Sequence, residues 1–151
     1  MIRSDLSFSD YNNIKANLPK FIRYVYEDKR FPRFSWAEFA EEWAGRTGTI
    51  QVQYEDLRRE TGKELQRILT SLAKRDFSLA RCDNIADKFS FEKMSGRQAG
   101  EEDSSSFLRK EGSGDWKNHF TRESAELFNL YAGETLISLG YEQDSSWLLK
   151  V

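Results

Sequence analysis

Apolar residues recur three or four positions apart in five segments of the chain, which is the spacing of an amphipathic helix. Ser35 and Glu38 form a capping-box pattern at the start of one such segment, and Thr121 stands as the N-cap of another. Pro19 either starts a helix or kinks one, because it lacks a backbone N–H, and we place the start of the first helix there. The spacing predicts helices over Pro19–Asp28, from Trp36 to near Gly45, within Gly62–Lys74, over Leu79–Lys88 and from Thr121 to Gly140.

In one segment, apolar and polar residues alternate along the chain. Ile50, Val52 and Tyr54 alternate with polar residues across Thr49–Tyr54, which predicts a β-strand. A lone strand leaves backbone groups unpaired on both edges, so it requires neighbours from a fuller sheet, from another chain or from a pairing that the pattern does not reveal. Missing sequence is one explanation, and the coarse count is several helices around a single strand.

Length and composition indicate one domain. A chain of 151 residues that is 38% hydrophobic and 14% aromatic can bury a single core, so we predict one domain over residues 1–151. Within it, Ser95–Ser106 combines two glycines, three consecutive serines and an acidic triplet. This composition predicts a mobile surface loop.

Charge and cysteine content restrict the partners and the cellular compartment that we expect for this protein. The 23 basic and 25 acidic side chains leave a net charge of −2, which disfavours nucleic acid as a partner. Cys82 is the single cysteine, so no intrachain disulfide forms, and a reduced cytoplasm is the simplest location.

No apolar run approaches the ~20 residues of a membrane span, so we predict a soluble protein with no membrane partner. We also assign no metal ligands.

A phosphate site is predicted where Arg109 and Lys110 precede the glycine turn of Gly112 and Gly114. Arginine offers a bidentate fork and lysine a point charge, while glycines let backbone N–H groups approach an anion. From composition alone, an ordinary solvated turn is the alternative reading.

The run from Phe107 to Thr121 resembles R-K-G-x-x-G-D-W-K-N-x-F-T, the C-terminal signature of sulfotransferases that use 3′-phosphoadenosine 5′-phosphosulfate (PAPS). Val52–Leu57 resembles the strand-ending Y-E-D-L of that family. Phe89–Met94 resembles its T-S-F-E-x-M, with Phe89 in place of threonine. The resemblance implies an α/β fold: the C-terminal portion of a P-loop-type sulfotransferase domain, mainly α-helical, with about one strand from the parallel sheet.

The resemblance also implies a nucleotide site for PAPS and its product adenosine 3′,5′-bisphosphate. Arg109, Lys110 and the backbone at Glu111 would hold the 3′-phosphate. Glu111 stands where the family has its first glycine, which brings a negative charge and a Cβ towards the phosphate and would weaken binding.

The adenine side of that site is implied by the other two segments. Tyr54 would contact the adenine, and Phe91 and Met94 would line its pocket. An aromatic face stacks on a base and a thioether fills an irregular edge. Ordinary core positions are the alternative for all three.

The N-terminal elements of the family are matched poorly or not at all. Arg3 and Ser9 resemble the phosphate-binding ends of the family's V-R-x-P-x-D-V-x-x-S-Y, but the spacing is two residues short and the proline is absent. The P-loop P-K-S-G-T-T-W has no counterpart. His119 occupies a variable signature position and is predicted to be a surface residue, so we assign no catalytic residue and expect that the N-terminal half is missing.

Two functions therefore stay open. The first is a sulfotransferase that transfers a sulfuryl group from PAPS to a hydroxyl or amine of a small-molecule or glycan acceptor, this chain supplying the 3′-phosphate and adenine side. The second is a non-catalytic, truncated sulfotransferase-like domain for nucleotide binding or interaction. Lys117, Thr121 and Glu126 also resemble the dimerisation motif K-x-x-x-T-V-x-x-x-E, with Arg122 in place of the valine. This resemblance implies a homodimer; helix capping at Thr121 is the alternative.

Overall fold

The computed structural model of the protein describes residues 10–28, 33–110 and 112–151. Within these ranges the chain is helical, and two 3₁₀ segments, Asp115–Asn118 and Ser145–Lys150, flank the last α-helix. The α-helices are α1 (Ile14–Arg23, followed by a π-helical turn at Tyr24–Asp28), α2 (Trp36–Trp43), α3 (Tyr54–Arg59), α4 (Thr61–Ala73), α5 (Leu79–Lys88), α6 (Phe91–Ser95) and α7 (Arg122–Ser138).

These elements form two compact units. The first unit comprises the described residues within Met1–Arg46 together with Asp115–Val151, and the second unit comprises those within Thr47–Gly114. None of the described helices combines the length and the apolar character needed to cross a lipid bilayer.

The first unit is built around α7. Ala125, Leu127 and Ala132 of this helix are buried, and α1 and α2 pack against it. Ile22 of α1 is buried as well, and Trp147 from the C-terminal 3₁₀ segment donates its indole N–H to the Asn129 side chain at 3.0 Å. The indole therefore satisfies its donor while its ring stays in the core.

The predicted helix caps are confirmed. The Ser35 side chain accepts from the Glu38 N–H at 3.2 Å, and the Glu38 carboxylate accepts from the Ser35 N–H at 2.8 Å. Thr121 caps α7, where Ser124 supplies the reciprocal bond of a second capping box. The prediction for this terminus succeeded because capping depends on residues three positions apart.

The prediction for the first helix was wrong about its start. The helix begins at Ile14, capped by the Asn13 side chain, and Pro19 lies inside it. Proline removes one backbone hydrogen bond from a helix interior but does not forbid the helix. The favourable cap at Asn13 and the apolar spacing that begins at Ile14 extend the helix through it.

The predicted strand over Thr49–Tyr54 is also wrong. Residues 49–53 carry no regular secondary structure, Gln53 has extended backbone angles, and Tyr54 already begins α3. No strand is found anywhere in the described part of the chain. An alternating segment becomes a strand only when another strand accepts its hydrogen bonds, and here Gln51 instead offers its carbonyl to the Arg67 side chain at 2.8 Å.

The second unit is organised by the pairing of α4 and α5. Gly62 of α4 is buried against α5, where an added Cβ would lie 1.8 Å from an Asp83 carboxylate oxygen. Cys82 of α5 is fully buried, and the Gln66 side chain of α4 donates to the Phe77 carbonyl at 2.6 Å. A small residue at position 62 thus allows the close approach of α4 and α5.

Candidate functional site

The second unit contains an open groove of about 490 Å³, which we call the Arg109 groove. Its volume lies within the roughly 300–1,000 Å³ of small-molecule sites. It is lined by Tyr54, Phe89, Phe91, Met94, Phe107, Leu108, Arg109 and Lys110. Five of these eight residues are candidates from the sequence, drawn from three separate segments, and the fold of one unit brings them together.

Short structural elements place the apolar lining. Tyr54 is the first residue of α3, so its ring stands at the end of that helix. Phe91 and Met94 lie one turn apart on α6 and therefore share a face of it. Ser95 ends this short helix by donating its hydroxyl to the Phe91 carbonyl at 2.6 Å.

This lining is apolar yet open to solvent. Tyr54 is 48% exposed, Met94 56% and Phe89 67%, and Phe107 is fully exposed. Exposed apolar side chains that converge on one groove are typical of binding surfaces. The core reading of Tyr54 and Met94, kept as an alternative above, is therefore not what the structure describes.

The other wall of the groove is cationic. Arg109 is exposed and forms an ion pair through Nη1 with the Glu102 carboxylate. Lys110 follows it and is half-buried. Two adjacent cations beside aromatic rings can hold a phosphate and a flat ring system at the same time.

The loop before Arg109 is internally hydrogen-bonded. The Asp103 N–H donates to the Arg109 carbonyl at 2.9 Å, and the Asp103 carboxylate accepts from the Ser105 hydroxyl and N–H at 2.6 and 2.9 Å. The bonds from Ser105 hold the pKa of Asp103 below its ordinary value. The predicted mobility of Ser95–Ser106 stays a prediction.

Three candidate residues lie outside the part of the chain that the structure describes. These are Arg3, Ser9 and Glu111. Their assignments to the phosphate stay predictions from the sequence.

The second half of the signature belongs to the first unit, where its aromatic residues are structural. Trp116 packs edge-on against Phe120, with ring centroids 5.5 Å apart, and against Trp147 at 5.8 Å. His119 lies 3.7 Å from the Asp115 carboxylate on a partly exposed turn. This position agrees with the prediction of a surface histidine.

The three residues of the dimerisation motif each have a contact within the chain. The Lys117 ammonium lies 5.7 Å from the centroid of the Trp116 ring, Thr121 caps α7, and Glu126 accepts from the Arg122 side chain at 2.6 Å. The homodimer stays a prediction.

Three lining residues were missed in the sequence. Phe107 and Leu108 were quoted as part of the signature but received no role, and Phe89 was noted only for replacing threonine. The signal that would have identified Phe89 and Phe107 is their position beside the motifs, because an aromatic next to a phosphate site is a stacking candidate. No such signal marks Leu108.

Comparisons with known proteins agree on one family. The Sulfotransferase domain family matches residues 4–140. Sulfotransferase 1E1 of Bos taurus is 30% identical over 119 residues, which cover 70% of this chain and 40% of that protein. Sulfotransferase 1C2 of Homo sapiens is 30% identical over 108 residues, covering 63% of this chain and 36% of that protein.

A third relative, Sulfotransferase 1A1 of Rattus norvegicus, is 27% identical over 121 residues, covering 72% of this chain and 41% of that protein. The chain thus matches about two fifths of the length of these curated relatives. No solved structure gives a significant match. Because the family match extends over most of the sequence and includes all three segments that form the Arg109 groove, the chain belongs to the sulfotransferase family.

Proposed function

We propose that this chain supplies the adenine and 3′-phosphate side of a PAPS-dependent sulfotransferase site, and that the nucleotide binds in the Arg109 groove. The observation that carries the proposal is the convergence of Tyr54, Phe91, Met94, Arg109 and Lys110 on one groove within the second unit. These residues come from three segments that are distant in the sequence.

The chemistry of the groove suits an adenosine 3′-phosphate. The exposed rings of Tyr54, Phe89 and Phe107 offer faces on which a base can stack. The Arg109 guanidinium can donate two parallel hydrogen bonds to a phosphate, and the Lys110 ammonium adds a second positive charge.

In this proposal the bound nucleotide carries the sulfuryl group that is transferred to a hydroxyl or amine of an acceptor. The residues of the groove bind and orient the adenosine 3′-phosphate end, which lies away from the transferred group, so their contribution is positioning. A small molecule or a glycan is the proposed acceptor class.

A titration with the purified chain tests the nucleotide site. We expect adenosine 3′,5′-bisphosphate to bind, and Arg109→Ala to weaken binding by about 10- to 100-fold, the effect of losing a charge-assisted hydrogen bond. Arg81→Ala is the matched control, since Arg81 is exposed on α5 in the same unit but does not line the groove.

Equal affinities for Arg109→Ala and Arg81→Ala would contradict the site, because net charge alone would then explain the binding. Adenosine 5′-monophosphate completes the set of ligands. It lacks the 3′-phosphate, so it should bind the unmodified chain more weakly than the bisphosphate does. This difference should be smaller in Arg109→Ala, where Lys110 is the remaining cation of the pair.

A second candidate is a nucleotide-binding domain without transferase activity. The sequence favours it at one position, Glu111, where a carboxylate replaces the family's glycine beside Arg109 and Lys110. A transfer assay with labelled PAPS and a panel of phenol, alcohol and amine acceptors separates the two candidates. Labelled product supports the transferase, while nucleotide binding without product supports the second candidate for this chain.

A further inference from the structure

Arg97 does not line the Arg109 groove, yet its side chain binds the backbone that carries it. The Nη1 atom donates to the Glu101 carbonyl at 2.9 Å and to the Arg109 carbonyl at 3.0 Å. The Nη2 atom donates to the Leu108 carbonyl. We call these three bonds the Arg97 clasp. They join a single half-buried guanidinium to two stretches of backbone that are separated in the sequence.

The same guanidinium also contacts the aromatic wall. Its Cζ atom lies 5.2 Å from the centroid of the Phe91 ring, within the range of a cation–π contact. Arg97 therefore touches the wall formed by Phe91 and the wall formed by Leu108 and Arg109.

The backbone of Arg97 is hydrogen-bonded as well. Its N–H donates to the Ser95 hydroxyl at 3.1 Å, and that hydroxyl in turn donates to the Phe91 carbonyl. Arg97 is thus tied to the end of α6 through its backbone and to the Arg109 segment through its side chain.

The segment that Arg97 binds is held by side-chain contacts and by turn hydrogen bonds. Residues 101–110 form no helix or strand, so no ladder of backbone hydrogen bonds fixes Arg109. The Arg109 carbonyl oxygen accepts two hydrogen bonds, one from the Asp103 N–H and one from Nη1 of Arg97. Backbone without regular structure opens locally at low free energy unless side chains hold it.

We propose that Arg97 is a positioning residue, which sets the separation between the aromatic wall and the Arg109–Lys110 wall and so gives the groove its selectivity for adenosines that carry a 3′-phosphate. The proposal rests on the proposed nucleotide site. Arginine suits this role because its planar fork can bind several carbonyls at once, whereas a lysine ammonium cannot reproduce that geometry.

The first test needs no nucleotide. In hydrogen–deuterium exchange, Arg97→Ala and Arg97→Lys should remove the protection of the Asp103 amide and leave α4 and α5 protected. Arg81→Ala should leave both unchanged. Retained Asp103 protection in both Arg97 variants would overturn the clasp as the element that holds Arg109, whatever the nucleotide does.

The second test measures selectivity. In the unmodified chain we expect a preference for adenosine 3′,5′-bisphosphate over adenosine 5′-monophosphate. Arg97→Ala should lower the affinity for the bisphosphate by about tenfold, the effect of a mispositioned charge-assisted bond, and change that for the monophosphate by about twofold or less. Millimolar guanidinium chloride should restore part of the preference in Arg97→Ala, and sodium chloride at the same concentration should not.

The outcomes separate this inference from the proposed function. If Arg109→Ala reduces the preference and neither Arg97 variant does, the groove binds nucleotide but Arg97 does not position it, and the inference fails. If the unmodified chain shows no preference for the 3′-phosphate, the proposed nucleotide site fails, and the exchange of the Asp103 amide alone decides whether Arg97 holds the Arg109 segment. Arg97→Lys provides the same comparison should Arg97→Ala not fold.

Discussion

Glu102 forms an ion pair with Arg109, one of the two cations of the proposed phosphate site. Its carboxylate pairs with Nη1 of the guanidinium that the proposed site uses for the 3′-phosphate. We predict that Glu102→Gln raises the affinity for adenosine 3′,5′-bisphosphate, because the substitution removes the charge of the competitor and keeps its size.

The magnitude follows from the exposure of the pair. The Arg109 side chain is 54% exposed and the Glu102 side chain 44%, so water screens their attraction. Exposed ion pairs contribute roughly 0.2–1 kcal/mol. If binding replaces this pair with the phosphate, the affinity should rise by about 1.4- to 5-fold.

Calorimetric titration at ~0.1 M and at ~1 M salt measures this effect, since the screening length falls from about 10 Å to about 3 Å over that range. The gain should be present at low salt and absent at high salt. Glu101→Gln is the matched control: it removes the same charge from the neighbouring position, but the Glu101 carboxylate accepts from the Gln98 N–H at 2.7 Å and is not the partner of Arg109.

An equal gain in Glu101→Gln and Glu102→Gln would refute the reasoning, since the general charge of the loop would then be the cause. An affinity of Glu102→Gln below that of the unmodified chain would refute it as well. In that case the pair orients Arg109 for the ligand and does not compete with it.

Two further predictions concern the first unit. Ser35→Ala should destabilise the fold by about 1 kcal/mol through loss of the α2 cap, which lowers the urea midpoint by roughly 0.5 M; an unchanged midpoint would show that the cap contributes nothing. Burial raises the pKa of Tyr26 from 10 to about 12, against a smaller effect of the Ala37 backbone. Since the neutral phenol is favoured in the folded state, stability present below pH ~10 should be lost towards pH ~12, by about 1–3 kcal/mol. In urea titrations, the free energy of unfolding of Tyr26→Phe should lack this decrease at alkaline pH. Identical pH profiles for Tyr26→Phe and the unmodified chain would contradict the prediction.

Local signals in the sequence were sufficient for most helices. The caps at Ser35 and Thr121 each depend on a residue three positions away, so a short window contains the whole interaction. The strand over Thr49–Tyr54 could not be decided in this way, because a strand exists only through a partner elsewhere in the chain. The start of α1 was misplaced because the prediction gave more weight to Pro19 than to the cap at Asn13.

The candidate groove was predicted through family resemblance and not through residue patterns. Nothing in the spacing of Tyr54, Phe91 and Arg109 indicates that they meet, since their meeting depends on how α3, α6 and the Arg109 segment fold within the second unit. The family motifs identified each of these residues separately and did not indicate that they lie together. The fold then added Phe89, Phe107 and Leu108, whose types are ordinary for a core. The exposure of Phe89 and Phe107 becomes visible only in three dimensions.

Arg97 shows what composition leaves out in a loop such as Ser95–Ser106. Glycines, serines and acidic residues predict mobility because they bury little apolar surface. The bonds that Arg97 forms are of another kind: a side chain binds the carbonyls of Glu101, Leu108 and Arg109, and a carbonyl is present at every residue whatever its type. No sequence pattern records such a partner. If the Asp103 amide proves protected in the unmodified chain and unprotected in Arg97→Ala, a loop rich in glycine and serine is ordered by a single arginine, and the order of this loop is what aligns Arg109 with the aromatic wall.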